Sequence, residues 1–245
     1  MNNEVLRYVL LVAFSIFGII GNSVSFNPIR FHCENYILNN YLYIILSWGI
    51  VLTTVSGFKA KGIKLEDLFT GPFTILLAFG SIMLLVGLLF VPPKLFFTKH
   101  LLFIFQIILF GIIIYPYYIK NKDLFEHVGI TTLFILVALS AITYMNQDII
   151  KDSMGSYLLI GLIGLILARF VEIFITYRNK EIPSTYSRVL SYIAIGLFSL
   201  FMMYDTKKLI INSKNCVNPD YINESLNLFL DSINMFTSLY RVSDN

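Results

Sequence analysis

Eight apolar runs, each long enough to cross a bilayer and separated by short polar breaks, leave this 245-residue chain few ways to fold. They are Leu6–Ser25, Tyr41–Phe58, the stretch from Thr70-Gly71-Pro72 to Pro92-Pro93, His100–Tyr118, Gly129–Met145, Gly155–Tyr177, Ser191–Thr206 and Ile222–Leu239. With 57% hydrophobic and 13% charged residues, the chain is too apolar for an ordinary soluble globule. The expected class is an all-α integral membrane protein in a lipid bilayer. No break is long enough to hold a soluble domain.

The breaks carry ordinary loop chemistry. Phe26–Asn40 is read as a loop, with a turn at Asn27-Pro28. Lys59–Lys64 is a basic loop, Lys94–His100 a polar break and Lys120–Glu126 the next loop. Pro72 suits a first helical turn, where its missing N–H costs least. Pro183-Ser184-Thr185 breaks the chain before the two closing helices, and the first of these is expected to continue through Lys207–Asn212. The first run is either a retained helix or a signal peptide ending near Gly21, Ser23 and Ser25. Residues 1–40 therefore form an N-terminal hydrophobic helix, or signal peptide, with its loop, and residues 41–241 a seven-span membrane domain.

Net charge is +3 and dispersed, so there is no nucleic-acid footprint. The only two cysteines, Cys33 and Cys216, cannot make a zinc site, although alternating spans put both loops on one side and leave a single disulfide open. Ten Lys and Arg fall on the side of the termini and seven on the other, which weakly assigns the termini to the cytosol-like side. The sequon Asn223-Glu224-Ser225 begins a span, too close to the membrane to be modified.

Chemistry enters with two acids inside the last two runs, Asp205 and Asp231. A carboxylate in hydrocarbon costs roughly 2.5–3.5 kcal/mol on the lenient insertion scale, so such residues usually have a task. Asp205 lies seven residues before the closing hairpin and Asp231 ten after it. At about 1.5 Å per residue their depths differ by about 4–5 Å, and in an antiparallel hairpin they can meet. Two carboxylates in one site cannot both ionise easily and titrate as a coupled unit. The pair is a candidate proton-responsive gate or ion site. The alternative is a helix-end residue and a hydrogen-bonded packing residue.

Arg169 lies deep in the sixth span, three residues before Glu172. It is either a basic partner for the acids or one half of a local ion pair. Gly161, Gly164 and Ala168 on the same span make a small-residue stripe suited to close helix packing.

Enzymatic readings fail on their motifs. Phe229-Leu230-Asp231 lacks the glycines of the Gly-x-Gly-Asp half of an intramembrane aspartyl protease. His32, His100 and His127 are scattered, with no His-Glu-x-x-His run and no Gly-x-Ser-x-Gly elbow. No enzyme activity and no cofactor are expected.

Tyr204-Asp205-Thr206, Asp220-Tyr221-Ile222 and Leu228-Phe229-Leu230-Asp231 with Asn234 and Phe236 resemble the closing signature of the transmembrane Bax inhibitor motif family. Lys207 stands where that family commonly has Gln. Lys99-His100-Leu101, Gly129-Ile130-Thr131 and Met154-Gly155 with Gly161-Leu162-Ile163-Gly164 resemble its growth-hormone-inducible transmembrane protein branch, which is mitochondrial. The resemblance implies a seven-helix bundle whose last helix is surrounded by the others, here with an extra N-terminal helix. It also implies a calcium leak or calcium/proton exchange activity, gated by Asp205 and Asp231, in calcium homeostasis and protection from apoptosis. The implied location is the mitochondrial inner membrane, with endoplasmic reticulum or Golgi as alternatives.

Some members place an arginine at the end of the second core helix, where this chain has Phe90-Val91-Pro92-Pro93-Lys94. Either Lys94 reaches in, Arg169 substitutes, or the latch is missing. Calcium prefers six to eight hard oxygens. Two aspartates with Asn234, Thr206 or backbone carbonyls, and Tyr204 beside them, suit transient passage better than tight storage. The competing function is a non-transporting adaptor that acts through apoptosis-regulating membrane proteins.

Overall fold

The computed structural model describes residues 3–26, 29–68, 71–179 and 184–244. The turn at Asn27-Pro28, Thr70 and Pro183 lie outside the described residues. Eight long helices account for the eight apolar runs: α1 (Asn3–Ser23), α2 (Tyr36–Ala60), α4 (Gly71–Phe90), α5 (Phe96–Lys120), α6 (Lys122–Met145), α7 (Met154–Asn179), α8 (Ser184–Lys214) and α9 (Tyr221–Ser243). A single turn, α3 (Leu65–Leu68), and a 3₁₀ turn (Gln147–Ile149) fill two connections. The protein is an all-α multi-pass membrane protein.

Six of the long helices (α1, α2, α5, α6, α7 and α8) are long and apolar enough to cross a membrane, and α4 is strongly apolar over Phe79–Phe90. Helix α9 is different, because Glu224, Asp231 and Arg241 interrupt it. No residue of α9 before Ser243 is exposed. That lets one helix carry acids, serines and asparagines through the apolar layer.

Three expected loops are partly ordered structure. In the segment read as loop Phe26–Asn40, β1 (Val24–Phe26) and β2 (Ile29–Phe31) form an antiparallel hairpin pairing Val24 with Phe31 and Phe26 with Ile29. Helix α2 then begins at Tyr36, after Asn35 turns the chain with φ 52°. Its asparagines made this start look like loop. Asn39 and Asn40 are buried and donate to the carbonyls of Glu34 at 2.9 Å and Tyr36 at 3.0 Å.

The break Lys94–His100 is already helical from Phe96. The loop Lys120–Glu126 shrinks to Asn121, whose Oδ1 caps α6 by accepting from Leu124 N at 3.0 Å. Charges at Lys122, Asp123 and Glu126 marked this stretch as solvated. They sit on the first turns of a helix, where Lys122 and Glu126 pair at 3.5 Å.

The chain divides into two compact units. The first comprises Met1–Lys120 and Asn212–Leu226. Within it α1 packs on α2 through glycines: a Cβ on Gly18 would meet Leu42 at 3.1 Å, and one on Gly49 would meet Val12 at 3.0 Å. Gly111 brings α5 close to α2, where an added Cβ would lie 2.8 Å from Thr54 Cβ. Polar ties fix these contacts: Gln106 donates to Ser81 Oγ at 3.0 Å, and Tyr115 to the Ile63 carbonyl at 2.9 Å. The left-handed Gly62 (φ 66°) ends the α2 region, as a helix C-terminus requires.

The second unit comprises Asn121–Ile211 and Asn227–Asn245. Here the small-residue face of α7 meets α8. A Cβ on Gly161 would touch Leu197 at 3.0 Å, Gly155 leaves room for the Tyr204 ring and hydroxyl, and Tyr186 donates to the Ala168 carbonyl at 3.3 Å. Gly164 faces no side chain within 4 Å, so the stripe packs on one side only. Helix α6 meets α9 through Phe125 and Phe236, with ring centres 4.8 Å apart.

Candidate functional site

Asp205 sits on α8 and Asp231 on α9, two helices that run antiparallel after the turn at 215–220. Their carboxyl groups lie close enough in the second unit to act on each other. Asp231 is 6% exposed, and its Oδ2 is buried without a hydrogen-bond partner. Ionised carboxylates only accept hydrogen bonds, so the two groups can bond directly only when one of them holds a proton.

The neighbouring candidates divide. Thr206 is buried beside the pair and exchanges a hydrogen bond with Ser140 Oγ on α6 at 3.1 Å. Tyr204 turns the other way and packs on Gly155 of α7. Asn234, one turn beyond Asp231, donates to its own helix at the Leu230 carbonyl, 2.8 Å away. The oxygens directly at the site are thus the four of the two carboxyls, with Thr206 adjacent in sequence. Among the described residues no group of three or more His, Cys, Asp or Glu could hold a metal ion.

Of the two cations proposed as a latch from the sequence, Arg169 has other partners within the second unit. Arg169 donates to Glu172 Oε2 at 2.6 Å and to Ser191 Oγ at 3.0 Å, which makes it a local ion pair reinforced by α8. Lys94 is exposed in the connection between α4 and α5. The cation whose field Asp205 feels is Lys208, one turn further along α8. Its signal was present as an i, i+3 spacing, hidden because Lys207-Lys208 reads as the polar end of a span.

Lys207, the departure from the usual Gln, holds the connection before α7. Its Nζ donates to the Ile150 carbonyl at 2.7 Å and pairs with Asp152 at 2.8 Å. Glu172 is 5% exposed and has a second cation, Arg241 of α9, at 3.8 Å, with Ser187 also hydrogen-bonded to it. This cluster joins α7, α8 and α9 around one acid of α7, with Arg241 ten residues along α9 from Asp231.

The first unit holds a second buried ionic contact. Lys99, 1% exposed, reaches Asp220 Oδ2 at 2.5 Å and the Val91 carbonyl at 2.7 Å. Asp220 also caps α9, accepting from Asn223 N at 3.2 Å. His100 stacks on Phe96 at 4.1 Å; its Nδ1 faces the Phe96 carbonyl at 2.7 Å and its Nε2 the Tyr43 hydroxyl at 2.6 Å. Nδ1 therefore carries the hydrogen and Tyr43 donates to Nε2. Both halves of the Lys99–Asp220 pair were visible in the sequence, but nothing there joined residues 121 apart.

Cys33 and Cys216 form a disulfide, with Cα atoms 5.9 Å apart. The sequence left this pairing open, because only the fold brings the hairpin segment to the α8–α9 turn.

Among known proteins, the family model described as inhibitor of apoptosis-promoting Bax1 matches residues 34–243. No curated protein matches the chain.

Proposed function

The chain belongs to the family of inhibitors of apoptosis-promoting Bax1, and from that premise we propose that it passes calcium across an intracellular membrane under control of a proton shared by Asp205 and Asp231. The observation that carries this reading is the close approach of Asp205 on α8 to Asp231 on α9, with Asp231 only 6% exposed and its Oδ2 without a hydrogen-bond partner. The shared proton keeps the pair together. Its loss sets two negative charges side by side, which repel unless a cation replaces it.

The same oxygens then serve either a proton or a calcium ion, the elementary requirement of exchange. Four carboxyl oxygens fall short of the six to eight that calcium prefers, so water completes the shell and release stays easy. Protons compete for the site, and flux is expected to rise with pH. Lys208 moderates the charge on Asp205 and disfavours a second cation there.

The Lys99-His100-Leu101 motif, which resembles the mitochondrial branch, builds an ion pair and an aromatic stack. It supports the packing of α5 and gives no organelle.

The test is calcium flux through purified protein in liposomes between about pH 5 and 8, with Asp205→Asn and Asp231→Asn alongside. Flux should rise with pH in the parent, and both variants should lose most of that dependence. An unchanged profile in both variants removes the pair from the mechanism. Folded protein without flux at any pH supports the adaptor instead.

A further inference from the structure

The turn that leads into α9 is tied down at several independent points within the first unit. Cys216 is joined to Cys33, 183 residues away in sequence. Four residues later, Asp220 holds the buried Lys99. Tyr221 donates to the carbonyl of His32, the residue beside Cys33. Across the turn, Asn212 donates to Glu224 Oε1 at 3.0 Å, and the Tyr36 hydroxyl bonds the same carboxylate. The ring of Tyr221 packs against Phe31 and Tyr36, each with centroids 5.1 Å away. All these ties converge on the first turn of α9, the helix that carries Asp231 ten residues further on, about 15 Å along its axis.

Sidedness adds a separate argument. If each of the eight apolar runs crosses once, the segment before α2 and the turn before α9 emerge on the side opposite the termini. The excess of Lys and Arg lies on the side of the termini, which is the cytosolic mark. A disulfide persists in oxidising compartments and is rare in the cytosol. Charge and disulfide therefore give the same orientation from unrelated physics. Both cysteines are half-buried, with exposed Glu34 beside one and exposed Asn215 and Val217 beside the other, so a small thiol can reach the bond.

We propose that the α8–α9 turn is a thiol–disulfide clamp on α9, lying on the oxidising side of the membrane and setting how firmly the start of that helix is held. A dithiol reductant opens it. One thiolate of the reductant attacks a sulfur of the Cys33–Cys216 bond, its second thiol closes the reductant into a disulfide, and two electrons and two protons leave Cys33 and Cys216 as thiols. The ion pair and hydrogen bonds remain, so the reduced turn is loosened and stays in place. Looser anchoring at the start of α9 relaxes the helix that presents Asp231 to Asp205; this consequence rests on the function proposed above, whereas the clamp itself does not.

The test uses the full-length protein in nanodiscs and sealed vesicles. Alkylation before any reductant should label neither cysteine. After dithiothreitol, a membrane-impermeant maleimide should label both from the side opposite the termini. Hydrogen exchange over residues 212–226 should rise about tenfold on reduction, and equally in Cys33→Ser and Cys216→Ser without reductant, while α7 stays unchanged. Dithiothreitol should do nothing more to the serine variants. Cysteines alkylated without reduction, labelling from the side of the termini, or exchange unchanged on reduction each overturn the clamp. A response in exchange without any calcium flux keeps the clamp and removes the transport reading. A response in exchange with an unaltered pH profile of flux removes the link from clamp to carboxyl pair.

Discussion

Glu172 shows how this protein handles charge where water is scarce. Its carboxylate is buried, yet Arg169 at 2.6 Å and Arg241 at 3.8 Å flank it and Ser187 adds a hydrogen bond. Removing one partner from a buried pair leaves an uncompensated charge and costs about 3–5 kcal/mol, whereas removing both partners is far milder. Arg169→Met should therefore destabilise strongly, and Arg169→Met combined with Glu172→Met should recover most of the loss, read by unfolding in detergent. If the double variant is no better than the single, the pair is not what fixes this corner. Asp205 and Asp231 were legible in the sequence for the same reason that Glu172 is costly: a charge in an apolar run stands out. Lys99, Asp220 and Lys208 were not, because each lies at the end of a run, where a charge looks solvated. Only the fold shows that Lys99 turns inward and is 1% exposed.

At the scale of helices, close approach is set by glycine. Gly111 admits Thr54 of α2 so closely that an added Cβ would sit 2.8 Å from Thr54 Cβ. Gly111→Val should cost about 1–3 kcal/mol by overpacking, and Thr54→Ala should relieve part of it. Additive losses in the double variant would mean that the two side chains do not meet. Gly164, with no side chain within 4 Å, should accept Ala with little change, although the sequence grouped it with Gly161. Helix existence was legible throughout, since each apolar run became one long helix. Helix starts were less so. Buried asparagines began α2 and charged residues began α6, and both were read as loop because their hydrogen bonds to backbone are invisible in a string of letters. The hairpin 24–31 was missed because each strand is three residues long.

At the scale of the whole chain, one crossing for each of the eight apolar runs predicts both termini on the same side of the membrane. Tags at the N and C termini should be digested from the same side of sealed vesicles, and protection of one tag only would mean an odd number of crossings. Family membership over residues 34–243 belongs to this scale, and it was foreshadowed by the closing signature around Asp205 and Asp231. The disulfide was left open, since alternating spans put both cysteines on one side but two cysteines 183 residues apart carry no pairing rule. The proton at the Asp205–Asp231 contact is the point on which the proposed transport turns. Calcium entry and proton exit should be followed together in liposomes holding the parent protein, Asp205→Asn or Asp231→Asn. The parent should move protons outward as calcium enters, and either variant should abolish that counterflow. Calcium entry with no proton counterflow in the parent, or counterflow that survives in both variants, would contradict a site that holds a proton or a calcium ion by turns.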